Sequence, residues 1–228
     1  MTVLFLIITI ILFVGIDWIV RSLKAGRAMP LAPIAPRAVQ PGLQTAMPVR
    51  TPQGIFFARS HTWLNLFPSG KVRLGLDDFV GRMLDRPEII FLKREGEHVK
   101  RGEPILVLLE GSRSLTVRAP LDGVVLTRNE ELARNPSLLK EHLFSDGWAY
   151  AMKPDRPVDL REMLFGEETR TWMREEFRRL RDVFAGVGTD EKVVPALLQD
   201  GGAPVADALK QMDEQVWKRF EESFLSIQ

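Results

Sequence analysis

Between Gly54 and about Pro154 the chain breaks into short alternating apolar runs separated by turn residues, and no other feature constrains its fold as tightly. GIFFA, TWLNLF, KVRLGL, EIIFLK, ILVLLE and GWAYAMKP read as strands; PSG, REGEHVKRGEP and APLDG read as turns. ILVLLE stops at the polar tip Gly111-Ser112-Arg113-Ser114 and alternates back toward Ala119-Pro120, the pattern of a β-hairpin. DDFVGRMLD opens a short helix, with Asp77 or Asp78 as cap and Phe79, Met83 and Leu84 on one face. ELARNPSLLKEHL reads as a short helix broken at Asn135-Pro136. Turns about every ten residues predict a small β-barrel or sandwich with one or two helices outside it.

The flanks have a different texture. Val3 to Val20, VLFLIITIILFVGIDWIV, carries the single charge Asp17 and approaches the ~20 residues of a bilayer-spanning helix. No basic residue precedes it, as a secretory signal requires, whereas Arg21, Lys24 and Arg27 follow it. This predicts an uncleaved single-pass anchor over residues 1–22, N-terminus outside and the bulk of the chain in the cytoplasm. Trp18 suits an interfacial belt, and Asp17 reads as an interfacial carboxylate. Prolines recur through residues 23–53, the composition of a semi-rigid spacer.

From Asp159 the pattern turns helical. Trp172, Phe177, Leu180 and Phe184 fall near helical spacing in a first helix ending at Gly186 and Gly188. A second, Pro204 to Leu225, aligns Val205, Leu209, Met212, Val216, Phe220 and Phe224. Helices of this length need a surface to pack on, which the barrel, each other or a partner can supply. The charged run Glu167 to Arg181 fits a solvated face, a membrane surface or a helical interface. Trp172, Phe177, Val216 and Phe220 are the expected contacts to partner proteins.

Composition removes several kinds of chemistry. There is no cysteine, so disulfides, thiolate metal sites and a thiol nucleophile are excluded. His61, His98 and His142 lack metal-ligand spacing, and a formal net charge of +1 gives no field for nucleic acid. Glu110 has no matched carboxylate, and Ser112 and Ser114 have no His-Asp context. Gly186-Val187-Gly188 and Gly201-Gly202 have no preceding strand and read as helix terminators. The expectation is a protein that is not an enzyme and binds neither metal nor nucleic acid.

Six motifs follow one another in the middle of the chain: Ser60-His61-Thr62-Trp63, Leu74-Gly75-Leu76-Asp77-Asp78-Phe79-Val80, Val99-Lys100-Arg101-Gly102-Glu103-Pro104, Ala119-Pro120-Leu121-Asp122-Gly123-Val124-Val125 running on to Asn129, Asn135-Pro136-Ser137-Leu138, and Gly147-Trp148 through Lys153-Pro154. In this order they resemble the H protein of the glycine cleavage system, a lipoate carrier with a barrel-sandwich hybrid fold. The resemblance implies a mainly β fold with appended α elements. The barrel-sandwich hybrid then covers residues 54–164, and residues 165–228 form a C-terminal helical extension of amphipathic helices. It also implies a lipoyl-bearing lysine at the hairpin tip, within Glu-Ser-x-Lys-Ala.

Here that run is Glu110-Gly111-Ser112-Arg113-Ser114-Leu115, and no lysine lies between Lys100 and Lys140. A guanidinium stays protonated throughout the accessible pH range and is not an acyl acceptor. Arg113 therefore stands at the lipoyl-lysine position as a candidate contact residue, and no cofactor is expected. The resulting expectation is a non-catalytic, membrane-anchored structural or adaptor subunit of a membrane-associated assembly. Its partners are the membrane, through residues 3–20, and other protein subunits. Two alternatives stand beside it: a carrier or docking module still linked to lipoate or one-carbon chemistry, with Lys100 as a displaced attachment point, and a periplasmic adaptor of an export system with the opposite topology.

Overall fold

The computed structural model describes residues 50–186 and 207–227. The expected anchor at residues 3–20 and nearly all of the proline-rich spacer lie outside the described residues. Among the described residues no helix is long and apolar enough to cross a membrane.

Ten strands form two antiparallel sheets among these residues. The larger contains β1 (Ile55–Ala58), β2 (Thr62–Leu66), β3 (Val72–Leu76), β5 (His98–Val99), β8 (Gly123–Arg128), β9 (Trp148–Pro154) and β10 (Leu164–Phe165), in the order β10-β1-β2-β3-β9-β8-β5. The smaller contains β4 (Glu88–Phe91), β6 (Pro104–Glu110) and β7 (Arg113–Arg118), in the order β4-β6-β7. Period-two alternation sends Leu115 and Val117 of β7 into the core while Ser114 and Thr116 face outward. Close packing explains one glycine. Gly75 pairs across the sheet with Trp63, and a Cβ there would lie 2.6 Å from the buried indole.

Asp77 settles the first helix, α1 (Asp78–Met83). Its side chain accepts from the N–H groups of Phe79 and Val80 at 3.0 and 3.2 Å, an N-cap. Asp78 turns instead to Arg50 and Arg82. The expected break at Asn135-Pro136 separates α2 (Glu130–Arg134) from α3 (Leu138–Glu141).

The C-terminal region departs from two uniform helices. Pro157–Glu162 is a 3-10 turn and Leu164–Phe165 is strand β10 on the edge of β1; α4 (Glu167–Gly186) follows. The described part of the second expected helix is a 3-10 turn (Ala208–Gln211), then α5 (Glu214–Phe220), then a wider π turn (Glu221–Leu225). The interruption has a local cause: the Asp213 carboxylate accepts from the Val216 N–H at 2.9 Å and starts a new helix there.

All of these elements share one core with the barrel. Phe79 of α1 is its hub, with ring centroids of Phe177, Phe220 and Phe224 at 5.0, 5.8 and 5.1 Å. The expectation that Trp172, Phe177, Val216 and Phe220 meet a partner protein is corrected here: all four are buried within the chain itself. They are large apolar groups facing an apolar barrel wall, and burying each contributes about 1.5–3 kcal/mol.

Candidate functional site at the hairpin tip

The β6–β7 hairpin turns through Gly111-Ser112, with Glu110 and Arg113 as the last facing pair. Gly111 takes a φ of 65°, a left-handed conformation open to glycine at little cost. The register places Arg113 at the first position of the returning strand.

Arg113 does not project into solvent as a free arm. Its guanidinium donates to the backbone carbonyl of Met212 and, at 3.1 Å, to that of Lys210. It also lies over the Trp217 ring, 5.2 Å from the centroid. Trp217 is held in turn by an Nε1–H bond to the Leu209 carbonyl at 2.8 Å. Four further contacts close the seam. The Thr116 N–H donates to Glu221 Oε2 at 2.9 Å, which satisfies an open donor on edge strand β7. Glu110 Oε2 accepts from the Asp85 N–H at 3.1 Å, Lys210 Nζ reaches Asp85 Oδ2 at 2.7 Å, and Lys140 pairs with Asp207. The hydrogen bond and charge of Lys210 hold the Asp85 carboxyl below its usual range, and Asp85 raises the Lys210 ammonium. Sequence reasoning singled out Arg113 here but missed Lys210, Trp217 and Glu221; two of its receiving groups are backbone carbonyls, which have no side-chain signature.

These residues do not fit an amide-linked lipoyl group at the tip. The attachment position offers a guanidinium, its two terminal nitrogens are engaged, and neither strand of the hairpin holds a lysine. Lys100 lies in the turn that precedes β6, away from the hairpin tip.

A second cluster joins α4 to the barrel. His61 is buried, with the unusual φ of 59°, and its ring stacks on Phe79 at 4.1 Å and on Trp172 at 4.9 Å. Nδ1 meets Asp77 Oδ2 at 2.8 Å, and Nε2 faces Glu176 Oε2 at 3.6 Å. Burial by itself pushes the imidazole down, but the charge and hydrogen bond of Asp77, with Glu176 behind them, raise it above its ordinary 6.5. Burial likewise pushes Glu176 up, and His61 and Arg179 together bring it below its ordinary 4.5. The cluster is a closed ionic clasp, placed for holding α4 on the barrel rather than for reaction.

A cleft of about 340 Å³ borders Ser60 and Leu121; within its lining Arg101 pairs with Glu162 and Arg156 with Asp159, each at 3.1 Å. Among the described residues no cluster of His, Asp and Glu is arranged to hold a metal ion.

Comparison with known proteins finds one family in common. The family model described as glycine cleavage H-protein matches residues 55–176, which takes in the hairpin and the His61–Glu176 clasp but not the segment covering Arg113. Glycine cleavage system H protein 2 of Aquifex aeolicus is 29% identical over 137 residues, covering 59% of this chain and 84% of that protein. Glycine cleavage system H protein 2 of Pseudomonas putida is 31% identical over 113 residues, covering 50% and 88%. Among solved structures, a glycine cleavage system H protein from Mycobacterium marinum aligns at 22% identity with a TM-score of 0.46, covering 54% of this chain and 98% of that one.

Proposed function

The chain belongs to the glycine cleavage H-protein family, and on that basis we propose that it is a non-catalytic docking module. In this reading it engages proteins that recognise H-protein domains without carrying a lipoyl arm on its hairpin. One observation supports this above all. The nitrogens at the attachment position belong to Arg113 and are committed to the carbonyls of Lys210 and Met212. A carrier needs a free amine to acylate and a mobile arm to swing; this tip offers neither. The remaining H-protein surface is a shape for binding.

The reading extends to location. Residues 3–20 anchor the module in the cytoplasmic membrane with the bulk of the chain inside, so that it serves as an adaptor within a membrane-associated assembly. A reporter fused to Gln228 tests the topology: activity confined to the cytoplasm is expected, and activity only outside overturns it.

Intact-mass measurement on the native chain, paired with a binding assay against lipoate-handling enzymes, tests the core of the proposal. The expected outcome is an unmodified mass with measurable binding. A lipoyl adduct would falsify the docking reading in favour of a carrier. An unmodified chain that binds none of those enzymes removes the link to H-protein partners.

A further inference from the structure

The outward face of α4 carries a charge pattern that the fold does not use. At 3.6 residues per turn, Arg170, Arg174, Arg178 and Arg181 fall within about 80° of arc, opposite the face that buries Trp172, Met173, Leu180 and Phe184. The first three are exposed and Arg181 is half-buried. Glu167, paired with Arg170, is the carboxylate within that arc; Glu168, Glu175 and Asp182 occupy the adjoining one.

Pairing separates the stripe from the structural arginines. Arg179, on the opposite flank, meets Glu176 at 3.0 Å and lies over Phe224 at 4.6 Å. Arg174 reaches only the Arg170 carbonyl and the Thr171 hydroxyl, both at 3.3 Å, and Arg178 and Arg181 make no ion pair among the described residues. Like charges one turn apart destabilise a helix; Glu175 and Asp182 lie one turn from Arg178 and offset this in part, and anionic groups outside the chain can offset the rest. With a formal net charge of only +1, the chain offers no general basic surface of which this stripe is a part.

Its place in the fold points to the source of that counter-charge. Arg170 Nε donates to the Thr51 hydroxyl at 3.3 Å, and neighbouring Arg50 is pinned to Asp78 at 2.7 Å. The spacer thus joins the domain at the end of α4 where the stripe begins.

We propose that the Arg170–Arg181 stripe is a docking surface for anionic lipid headgroups, which lays α4 against the membrane. This rests on the reading of residues 3–20 as an anchor. The guanidinium groups supply several donors each for phosphate and carboxylate oxygens, and their attraction to an anionic leaflet decays within a Debye length.

The absence of native cysteine makes the test direct. The full chain carrying Glu175→Cys, labelled with a fluorophore, is reconstituted into vesicles of phosphatidylcholine alone or with phosphatidylglycerol, each containing a headgroup-linked quencher. Expected is quenching several-fold stronger in the anionic vesicles, relieved at about 1 M salt where the Debye length is about 3 Å. The variant Arg174→Gln/Arg178→Gln/Arg181→Gln should lose the difference while keeping its circular dichroism and melting temperature. Equal quenching in both lipids, or an unaltered response in the triple variant, overturns the proposal; a stripe built for an acidic protein would give that result. An alkaline wash reads the anchor separately. Release from neutral vesicles with quenching retained on anionic ones sinks the anchor and spares the stripe, and retention without anionic-specific quenching does the reverse.

Discussion

The guanidinium of Arg113 lies over the indole of Trp217, 5.2 Å from its centroid, and so ties the tip of a central hairpin to a helix from the far end of the chain. The position that would launch an arm into solvent in a lipoyl carrier is folded under a cover made by the protein itself.

Replacing Arg113 with alanine removes two charge-assisted hydrogen bonds and the contact with the ring. A loss of about 2–3 kcal/mol is expected, since hydrogen bonds to charged groups contribute about 1.5–3 kcal/mol and exposed cation–π contacts less. Urea denaturation gives the magnitude. Hydrogen exchange gives the location: amides of residues 208–220 should lose protection while β2 and β3 keep theirs. Uniform loss across the barrel would contradict a local latch.

Gly75→Ala should be among the most damaging small substitutions. The new methyl group would sit 2.6 Å from the Trp63 ring, which is fully buried and has nowhere to go. Overpacking of this kind costs about 1–3 kcal/mol. A lower melting temperature with a shifted tryptophan emission is the expected signature.

Phe220→Ala tests whether the C-terminal helix belongs to the core. Its ring packs on those of Phe79 and Phe224 with no exposure, so truncation should cost about 3–5 kcal/mol in the isolated protein. A residue reserved for a partner would instead leave stability unchanged and weaken only binding.

The His61 clasp makes stability depend on pH with a definite sign. Because the folded imidazole is raised above 6.5, its contribution is complete below 6.5 and is lost as pH climbs through the folded value. Glu176 acts oppositely. It is held below 4.5, so its contribution is present above 4.5 and fades as pH falls through its lowered folded value. The clasp is therefore strongest between 4.5 and 6.5. Urea midpoints across pH should decline on the alkaline side of that window, and His61→Gln should flatten the decline. A parallel decline in the variant would assign it to other groups.

Local signals made much of the barrel legible. Alternation marked β1 to β3, β6, β7 and β9, an acidic residue before Phe79 marked the α1 cap, and Asn135-Pro136 marked the break between α2 and α3, because each is written in adjacent residues. The C-terminal region was harder for two reasons. The Leu-Met-Val-Phe spacing continues across Asp213, and the cap signal of Asp213 before Glu214 was overridden by that periodicity. Strand β10 has only two residues, too few to show alternation, and owes its state to β1 beside it.

The site was legible at Arg113 and opaque around it. The motif showed which residue type had been exchanged, but Lys210 and Met212 receive it through main-chain oxygens and Trp217 stood outside the aligned apolar positions. His61 stands beside Trp63 in the first of the six motifs. Its partner Glu176 belongs to a different element, and nothing local in either segment announces the pair.

The donor on Arg113 and its acceptor on Met212 are separated by 99 residues, which sets an order of events at the ribosome. At roughly 5–20 residues per second, the hairpin emerges about 5–20 s before the segment that seals it. During that interval the open edge of β7 and the apolar face around Phe79 lack the segment that covers them. The closing stretch covers both surfaces, so a chain truncated before it is expected to expose them and to self-associate.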